Sequence, residues 1–372
     1  LGLISLVAFA GGIQNSHKKF SLPAATPVVF NLCIILSAFF LAPIFSVPIF
    51  GLAWGVLLAG IIQLLIQLAP LKQIDRLPIP RLDFNNQGVK KVFFLMLPAL
   101  LAGGVAQINL LIDTIFASLL ITGSPTWLYV SDRLIQFPLG IFAIAIGTVL
   151  LPTLSKANQN ENLNLFKDQL KKSQKLVMFL AIPSFVGLAL CSDHLISTLF
   201  QRGEFTFSDV HQASKSLIAF SLGLPFFMLM KVLVPAFFSR QDTKTPMYAA
   251  IAALISNIIL NYIFVFILGY DHAGLALASS ISASLSCGIL FLILVNGKYI
   301  QLQNPFNRFN LSILTASIIV GIFLIYGPFN IDFNSLSFTE RLLTLLLEVG
   351  FSILLYLGIT RVVIGKSLRS LF

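Results

Sequence analysis

Residues 129–156 read YVSDRLIQFPLGIFAIAIGTVLLPTLSK and predict one membrane-spanning helix with a polar first turn and a basic end. Asp132, Arg133 and Gln136 lie within about one and a half turns, so they share a face of that helix. The 19 residues 137–155 contain no charged side chain. A charge at the centre of a membrane helix costs about 2.5–3.5 kcal/mol on insertion scales. An acid and a base placed here are therefore typical of a helix that faces a water-filled cavity or a polar ligand.

The composition extends this interpretation to the whole chain. Charged residues make up 10% of the sequence, hydrophobic residues make up 57%, and the mean hydropathy is +0.93. Soluble domains carry about 25% charged residues, so we interpret the chain as an all-α polytopic membrane protein. Cys33, Cys191 and Cys287 form no C-x-x-C pair, and we expect neither a disulfide framework nor a cysteine metal centre.

The apolar segments predict eleven transmembrane helices, of which the first is incomplete. A span needs about 20 apolar residues, so residues 20–71, which contain no charge, hold two spans. Trp127 and Tyr129 are expected to be interface aromatics at the start of the central helix. Leu163, Phe166 and Leu170 recur at helical spacing within residues 156–175, which predicts a short amphipathic helix on the membrane surface; a solvated loop is the alternative.

The basic residues predict the orientation. Threading the spans alternately places 19 of the 24 Lys and Arg residues on one side, which should be cytoplasmic. The C-terminus is then inside and the loop 193–215 is outside. The net charge of +10 is thus a topology signal, and we expect no nucleic-acid partner. The chain opens inside an apolar run without an initiating Met, so we expect an N-terminally truncated fragment.

Three strings carry a resemblance to a known family. They are DRLIQFPLGIFAIAIGTVLLPTLSK at 132–156, FQRGEFT at 200–206 and KVLVPAFFSRQDTKTP at 231–246. In order and spacing they resemble the MurJ/MviN lipid II flippases of the multidrug/oligosaccharidyl-lipid/polysaccharide exporter superfamily, and the resemblance runs through the whole chain.

The resemblance implies a fourteen-helix transporter with two lobes. Residues 1–71 would be the remainder of the N-terminal lobe (helices four, in part, five and six), and 72–91 a cytoplasmic link. Residues 92–297 would form the C-terminal six-helix lobe, and 298–372 two added helices with a groove for a lipid tail.

The implied function is transport and not enzymatic catalysis. A monomer in the bacterial inner membrane would flip lipid II, an undecaprenyl-pyrophosphate-linked peptidoglycan precursor, from the cytoplasmic to the periplasmic leaflet by alternating access. Its partners would be lipid II and membrane lipids. No organic cofactor is expected, and Na⁺ or the membrane potential would provide the coupling.

Arg133 is the first candidate for binding the substrate, because a planar guanidinium can hold two oxygens of a pyrophosphate at once. The resemblance places a cavity arginine at this position. Asp132 and Gln136 beside it, and Lys231 in a later span, are further candidates for binding the substrate. Many family members carry an acid where this chain has Gln136. The alternative for Arg133 and Lys231 is that the side chain extends to the membrane surface.

Two further groups are candidates. Arg240 and Asp242 are expected at the inner mouth as a gate, or alternatively as part of a capped turn. Asp113, Asn257 and Asn261 offer oxygen ligands for a hard cation, and the resemblance implies sodium, with Ser279 or Ser280 completing the set. Hydrogen bonding between helices is the alternative. Glu348 matches no family motif; we expect it to pair with Arg341 or to be protonated.

Two other functions remain open. A polysaccharide or drug exporter of the same superfamily would share the fold, although the strings SRQDTKTP and QRGEFT argue against it. A membrane enzyme acting on polyprenyl phosphate would need clustered acids and cytoplasmic histidines. The sequence has no D-D-x-x-D cluster, and His17 is the only clear cytoplasmic histidine.

Overall fold

The computed structural model describes residues 2–17, 19, 21–73, 87–300, 307–329, 331, 333 and 336–364. Regular structure in these residues is entirely helical. The α-helices are α1 (Gly2–Ser16), α2 (Ser21–Phe40), α3 (Pro48–Gln73), α4 (Gln87–Ser118), α5 (Ser124–Pro138), α6 (Ala145–Gln159), α7 (Leu163–Leu190), α8 (Ser192–Phe200), α9 (Phe207–Phe238), α10 (Lys244–Tyr262), α11 (Asp271–Asn296), α12 (Arg308–Tyr326) and α13 (Phe338–Ile364).

Most of these helices have the length and composition of membrane spans. Nine helical segments among the described residues are long and apolar enough to cross a membrane, and one of them runs from Ser124 to Gln159 through both α5 and α6. The shorter α1 is apolar through Gly2–Gln14. The chain is therefore an all-α, multi-pass membrane protein. The number of eleven spans stays a prediction.

The chain divides into two compact units, residues 1–93 and 94–372, and the boundary falls within α4. The sequence-based division into residues 1–71, 72–91, 92–297 and 298–372 stays a prediction. Most of its link, residues 74–86, lies outside the described residues.

The first unit packs α1 and α2 against α3. Two glycines of α3 allow close contact: a Cβ on Gly51 would lie 2.5 Å from the Ala42 backbone, and one on Gly55 would overlap Ser37. Gln63 Nε2 donates to the Thr26 carbonyl oxygen at 2.8 Å. Amide side chains thus hydrogen-bond between helices inside an apolar unit, as is common in membranes.

The second unit is built around α9. Leu217, Leu224, Met228 and Val232 on this helix are fully buried, and α9 contacts α5, α6, α7, α8 and α11. A helix that is apolar on all sides belongs in the interior of a bundle. α9 therefore fixes the positions of the helices that carry the candidate site residues.

The last two helices pack against each other, and they meet α7 and α8. Tyr356 on α13 donates its hydroxyl to the Phe179 carbonyl oxygen on α7 at 2.7 Å. Phe309, Ile313, Ala316 and Val320 of α12 form a separate apolar cluster with these two residues. Because a buried tyrosine hydroxyl needs a partner, this bond helps to fix how α13 lies against α7.

The predicted surface helix within residues 156–175 is wrong. α7 begins at Leu163 and continues without a break to Leu190, so the basic stretch is the first part of a 28-residue helix. Phe166 and Leu170 are buried against the rest of the unit. Their helical spacing reflects packing in the protein interior rather than contact with a membrane surface.

Trp127 is also not an interface aromatic. Its side chain is 6% exposed, and its Nε1 donates to Asp209 Oδ1 at 2.9 Å. Asp209 accepts as well from the backbone N–H of Thr206, which begins α9. A carboxylate at the start of α9 thus links that helix to α5. Tyr129, in contrast, is exposed.

Candidate functional site

The helical run that carries residues 129–156 contains a local break. α5 ends at Pro138, residues Leu139–Ile144 form a π-helical turn, and α6 continues from Ala145. Proline cannot donate the backbone bond to residue i−4, which weakens the regular ladder where the wider turn begins. π-helical turns occur frequently at functional sites. The predicted single helix is therefore continuous but irregular next to its polar turn.

One face of α5 is anchored, and the opposite face is largely exposed within the second unit. Trp127, Leu134 and Ile135 are buried, and Ser131 Oγ donates to the Ala213 carbonyl oxygen on α9 at 2.7 Å. The buried face fixes the rotation of α5 about its own axis. It thereby determines where the polar side chains of the other face lie.

Asp132, Arg133 and Gln136 occupy that other face. Arg133 and Gln136 are exposed within the second unit, and Asp132 is half-buried. Gln136 Nε2 lies 3.5 Å from Asp132 Oδ1, whereas the Arg133 guanidinium lies 4.7 Å above the Tyr129 ring. Among the described residues Arg133 forms no salt bridge. Asp132 and Arg133 thus contact different neighbours, and the guanidinium N–H groups of Arg133 remain available to bind a ligand.

Lys231 is the second basic residue inside a predicted span, and its side chain is exposed on α9. Its backbone marks a close helix contact, because a Cβ on Gly147 of α6 would lie 2.8 Å from the Lys231 carbonyl oxygen. Gly147 therefore allows α6 and α9 to approach each other, as small residues do in membrane proteins. Gly140 has no such neighbour within 4 Å.

Arg240 and Asp242 lie in the turn between α9 and α10. The Arg240 guanidinium lies 3.9 Å above the Tyr299 ring. Asp242 accepts from Thr245 N at 3.0 Å and from Thr245 Oγ1 at 2.7 Å. Partial burial acts to raise the pKa of Asp242, but the bonds from Thr245 and the nearby Arg240 lower it below its usual value. Asp242 thus caps α10, and the gate function of both residues stays a prediction.

Asp113, Asn257 and Asn261 do come together, on α4 and α10. Asn261 Nδ2 donates to Asp113 Oδ1 at 2.7 Å and lies 2.9 Å from Asn257 Oδ1. Ser279 of α11 receives a bond from Asn257 Nδ2 at 3.1 Å and donates to Asp113 Oδ2 at 3.3 Å. Asn109 Nδ2 also lies 3.2 Å from Asp113 Oδ2. These contacts join three helices around one carboxylate.

This polar cluster fits a hard cation in its chemistry. Asn257 and Asn261 are 1% and 0% exposed. Asn261 Oδ1 is buried and has no hydrogen-bond partner among the described residues. Carboxylate, amide and hydroxyl oxygens are the ligands that such cations prefer. Ser280, the other serine considered, bonds to the Ala219 carbonyl oxygen at 2.8 Å and takes no part in the cluster.

The expected pairing of Glu348 with Arg341 is wrong. Glu348 is 1% exposed, and its Oε2 lies 2.9 Å from His194 Nδ1 on α8. The His194 ring stacks on Phe333 with 3.9 Å between centroids. Arg341 Nη1 instead donates to Gln201 Oε1 at 2.7 Å. The first contact joins α8 to α13, and the second joins α13 to the residue that follows α8. No sequence signal indicates them because the partners lie 154 and 140 positions apart.

The structure also contains a buried histidine that the sequence did not single out. His272, at the start of α11, is 1% exposed. Ser216 Oγ lies 2.7 Å from its Nδ1, Gln212 Oε1 lies 3.3 Å from its Nε2, and the Trp127 ring packs against it. Both ring nitrogens thus have a partner on α9. The Asp-His dipeptide carries no motif that could have revealed this contact.

Comparison with known proteins decides the family. The family model described as "Lipid II flippase MurJ" matches residues 1–344, nearly the whole chain. This chain belongs to the MurJ family. A "Probable lipid II flippase MurJ" of Vibrio cholerae is 41% identical over 378 residues, which cover 100% of this chain and 70% of the relative. The MurJ relative of Haemophilus influenzae is 37% identical and is covered to 72% of its length.

A solved MurJ structure supports the same family assignment. The protein described as "Lipid II flippase MurJ, inward closed conformation" has a TM-score of 0.76 and 28% identity to this chain. The match covers 97% of this chain and 71% of that one. The sequence resemblance to the MurJ/MviN family is therefore confirmed, and so is the polytopic membrane-transporter fold.

Proposed function

We propose that this chain flips lipid II from the cytoplasmic to the periplasmic leaflet of the bacterial inner membrane. The observation that carries the proposal is the family match over residues 1–344. The relative that is 41% identical along the whole chain, itself named as a probable lipid II flippase, supports it. The protein is a transporter and not an enzyme.

The proposed headgroup contact is Arg133. Its guanidinium has no acidic partner among the described residues and lies on the exposed face of α5. An arginine whose guanidinium is not paired can hold two oxygens of a pyrophosphate. Asp132 and Gln136 lie beside it, and Lys231 offers a second cation on α9. In this proposal the headgroup crosses the membrane by alternating access.

The proposed tail contact lies on the C-terminal helices. α13 lines an apolar pocket of about 340 Å³ with Leu354, Leu355, Gly358, Ile359, Val362 and Val363. Ile318, Ile322 and Leu346 are examples of the exposed apolar side chains on α12 and α13. A polyprenyl chain would remain in hydrocarbon along such a surface while the polar headgroup crosses.

We further propose Na⁺ as a coupling ion. Asp113, Asn257, Asn261 and Ser279 would hold it, and its charge would neutralise the Asp113 carboxylate inside the membrane. Asn261 Oδ1 supports this assignment because it is a buried acceptor beside a carboxylate and accepts no hydrogen bond from any residue that the structure describes. The membrane potential is the alternative source of energy. We also propose that the protein acts as a monomer and that its C-terminus is cytoplasmic.

Genetic rescue tests the function. The gene carrying this chain should restore growth to cells depleted of their own lipid II flippase, and Arg133→Ala should fail although the protein is inserted at the same level. Arg202→Ala is the matched control, since Arg202 is exposed and its side chain donates to the nearby Leu199 carbonyl oxygen. Rescue by both arginine variants would remove Arg133 from the substrate site. Failure of well-inserted wild type would favour a polysaccharide or drug exporter.

A further inference from the structure

A pocket of about 200 Å³ lies at the basic end of α7, away from the proposed transport site. Asn164, Lys167, Asp168, Lys171 and Gln174 of α7 line it, and Tyr299 closes it from the segment after α11. None of these residues has a part in the proposed movement of lipid II.

The pocket has an excess of positive charge. Lys167 and Lys171 are four residues apart and so lie on one face of α7. The only acid among the lining residues, Asp168, already forms a salt bridge to Lys172 at 3.0 Å. On the Tyr299 ring that closes the pocket, the Arg240 guanidinium adds a further positive charge at 3.9 Å. An anionic ligand would meet Lys167 and Lys171, which form no salt bridge within the described part of the chain, and a third cation behind the ring.

The pocket wall also offers an unused hydrogen-bond donor. Gln174 Nε2 is inaccessible to solvent and has no hydrogen-bond partner among the described residues. A buried donor without an acceptor is destabilising and rare in native proteins. The positive charge of the pocket favours an anion, and the amide N–H of Gln174 favours an anion with oxygen atoms that accept hydrogen bonds. A phosphate ester meets both requirements.

The position of the pocket along α7 indicates where this phosphate comes from. α7 has 28 residues, which is about 42 Å of helix, whereas the hydrocarbon core of a bilayer is about 30 Å thick. Residues 176–190 carry no charge and suit the hydrocarbon. The pocket, formed near residues 164–174, then lies at the level of the lipid headgroups.

We propose that this pocket binds the phosphate of an anionic phospholipid in the adjacent leaflet. Lys167 and Lys171 contact the phosphate oxygens, and Gln174 Nε2 donates to one of them. The site is separate from the proposed lipid II path, so a result that contradicts one of the two proposals does not contradict the other. Occupancy would also hold α7 against the segment at Tyr299, where Phe166 packs edge-on at 5.6 Å between ring centroids.

Lipid retention by the purified full chain tests the proposal. Native mass spectrometry would count phosphatidylglycerol retained from vesicles of phosphatidylcholine mixed with phosphatidylglycerol, with phosphatidylcholine vesicles as reference. Lys167→Gln combined with Lys171→Gln should weaken phosphatidylglycerol binding on the order of tenfold or more, since each basic residue near an anionic lipid contributes appreciably. Lys156→Gln combined with Lys244→Gln removes the same charge elsewhere and should bind like wild type. An equal loss in both pairs would mean diffuse attraction and would overturn the proposal.

Two further measurements test the remaining alternatives. The first distinguishes a specific site from general electrostatic attraction, and the second distinguishes a lipid from a soluble ion. Gln174→Leu keeps the net charge but removes the donor, so it should also reduce retention; Gln174→Glu places a negative charge there and should abolish it. Unchanged binding in both Gln174 variants would overturn the built site. Inorganic phosphate at millimolar concentration should not displace the lipid, and displacement would assign the pocket to a soluble phosphate instead. Thermal unfolding of each variant checks folding.

Discussion

At the scale of single residues, the polar cluster around Asp113 shows how one carboxylate joins three helices. Its oxygens accept from Asn109, Asn261 and Ser279. A buried polar group that is left without a hydrogen-bond partner destabilises the fold by about 1–3 kcal/mol. The cluster is therefore both a structural junction and the proposed place of the cation.

We predict that Asp113→Asn separates these two functions. The amide keeps the size and most of the hydrogen bonds, so unfolding in potassium buffer should shift by only a few degrees. We expect sodium to raise the thermal midpoint of wild type, and because the variant lacks the negative charge, sodium should not raise the midpoint of Asp113→Asn. Asn109→Ala is the control, because Asn109 bonds to Asp113 but is not among the proposed ligands. Equal sodium shifts in wild type and Asp113→Asn would exclude this cluster as the sodium site.

The contact of His194 with Glu348 yields a second prediction at this scale. His194→Phe removes the hydrogen-bond partner of the Glu348 carboxyl group, which is 1% exposed, and a buried polar group left without a partner costs about 1–3 kcal/mol. The double variant with Glu348→Leu removes the unpaired acid as well, so it should recover much of that loss. The measurement is the free energy or midpoint of unfolding in detergent.

Lys172→Ala provides the comparison for that pair. Lys172 pairs with Asp168, but the two side chains are 50% and 54% exposed, and exposed pairs contribute about 0–1 kcal/mol. If the two single variants lost the same small amount of stability, the His194–Glu348 contact would not be what holds α13 to α8.

At the scale of helices, the irregular turn between α5 and α6 is the feature to test. Gly147→Val would place a side chain against the Lys231 carbonyl oxygen, 2.8 Å from the first added atom. Overpacking of this kind costs about 1–3 kcal/mol, so the thermal midpoint should fall. Gly140→Ala, in the π-helical turn itself, meets nothing within 4 Å and should retain the stability of wild type. A larger loss from Gly140→Ala would mean that the turn, and not the α6–α9 contact, sets the stability of this region.

The helices themselves were largely predictable, because a run of about 20 apolar residues indicates a span without any knowledge of its neighbours. What hydropathy could not show was packing. Trp127 looks like an interface aromatic until Asp209, 82 positions away, is placed against its indole N–H. The basic stretch of α7 has helical spacing whether it lies on a membrane or continues a span, so the sequence pattern alone could not distinguish the two.

The candidate site was predictable in part for the same reason. Polar side chains in apolar runs are conspicuous, so the sequence indicates Asp113, Asn257 and Asn261 without any knowledge of their contacts. Glu348 is equally conspicuous, but the sequence suggests the wrong partner because Arg341 is near in sequence and His194 is near only in space. The π-helical turn follows Pro138, but a proline within a span does not by itself predict a wider turn.

At the scale of the whole molecule, the placement of charged residues agrees with the MurJ family assignment. Few charges lie inside spans, and Arg133 and Lys231 are exposed on the helices where they occur. A transporter for a pyrophosphate-linked lipid needs cations that remain available to the headgroup and an apolar outer surface for the tail. In our proposal the exposed face of α5 and the apolar pocket on α13 meet these two needs.

The most direct test is the rate at which lipid II crosses vesicles that contain the purified protein. Fluorescent lipid II in the inner leaflet becomes accessible to a membrane-impermeant quencher only after crossing. Wild type should raise the rate well above that of empty vesicles, and Arg133→Ala should fall back by at least tenfold, the equivalent of about 1.4 kcal/mol of lost headgroup binding. A wild-type rate equal to that of empty vesicles would contradict lipid II transport, and an undiminished rate in Arg133→Ala would contradict the headgroup contact.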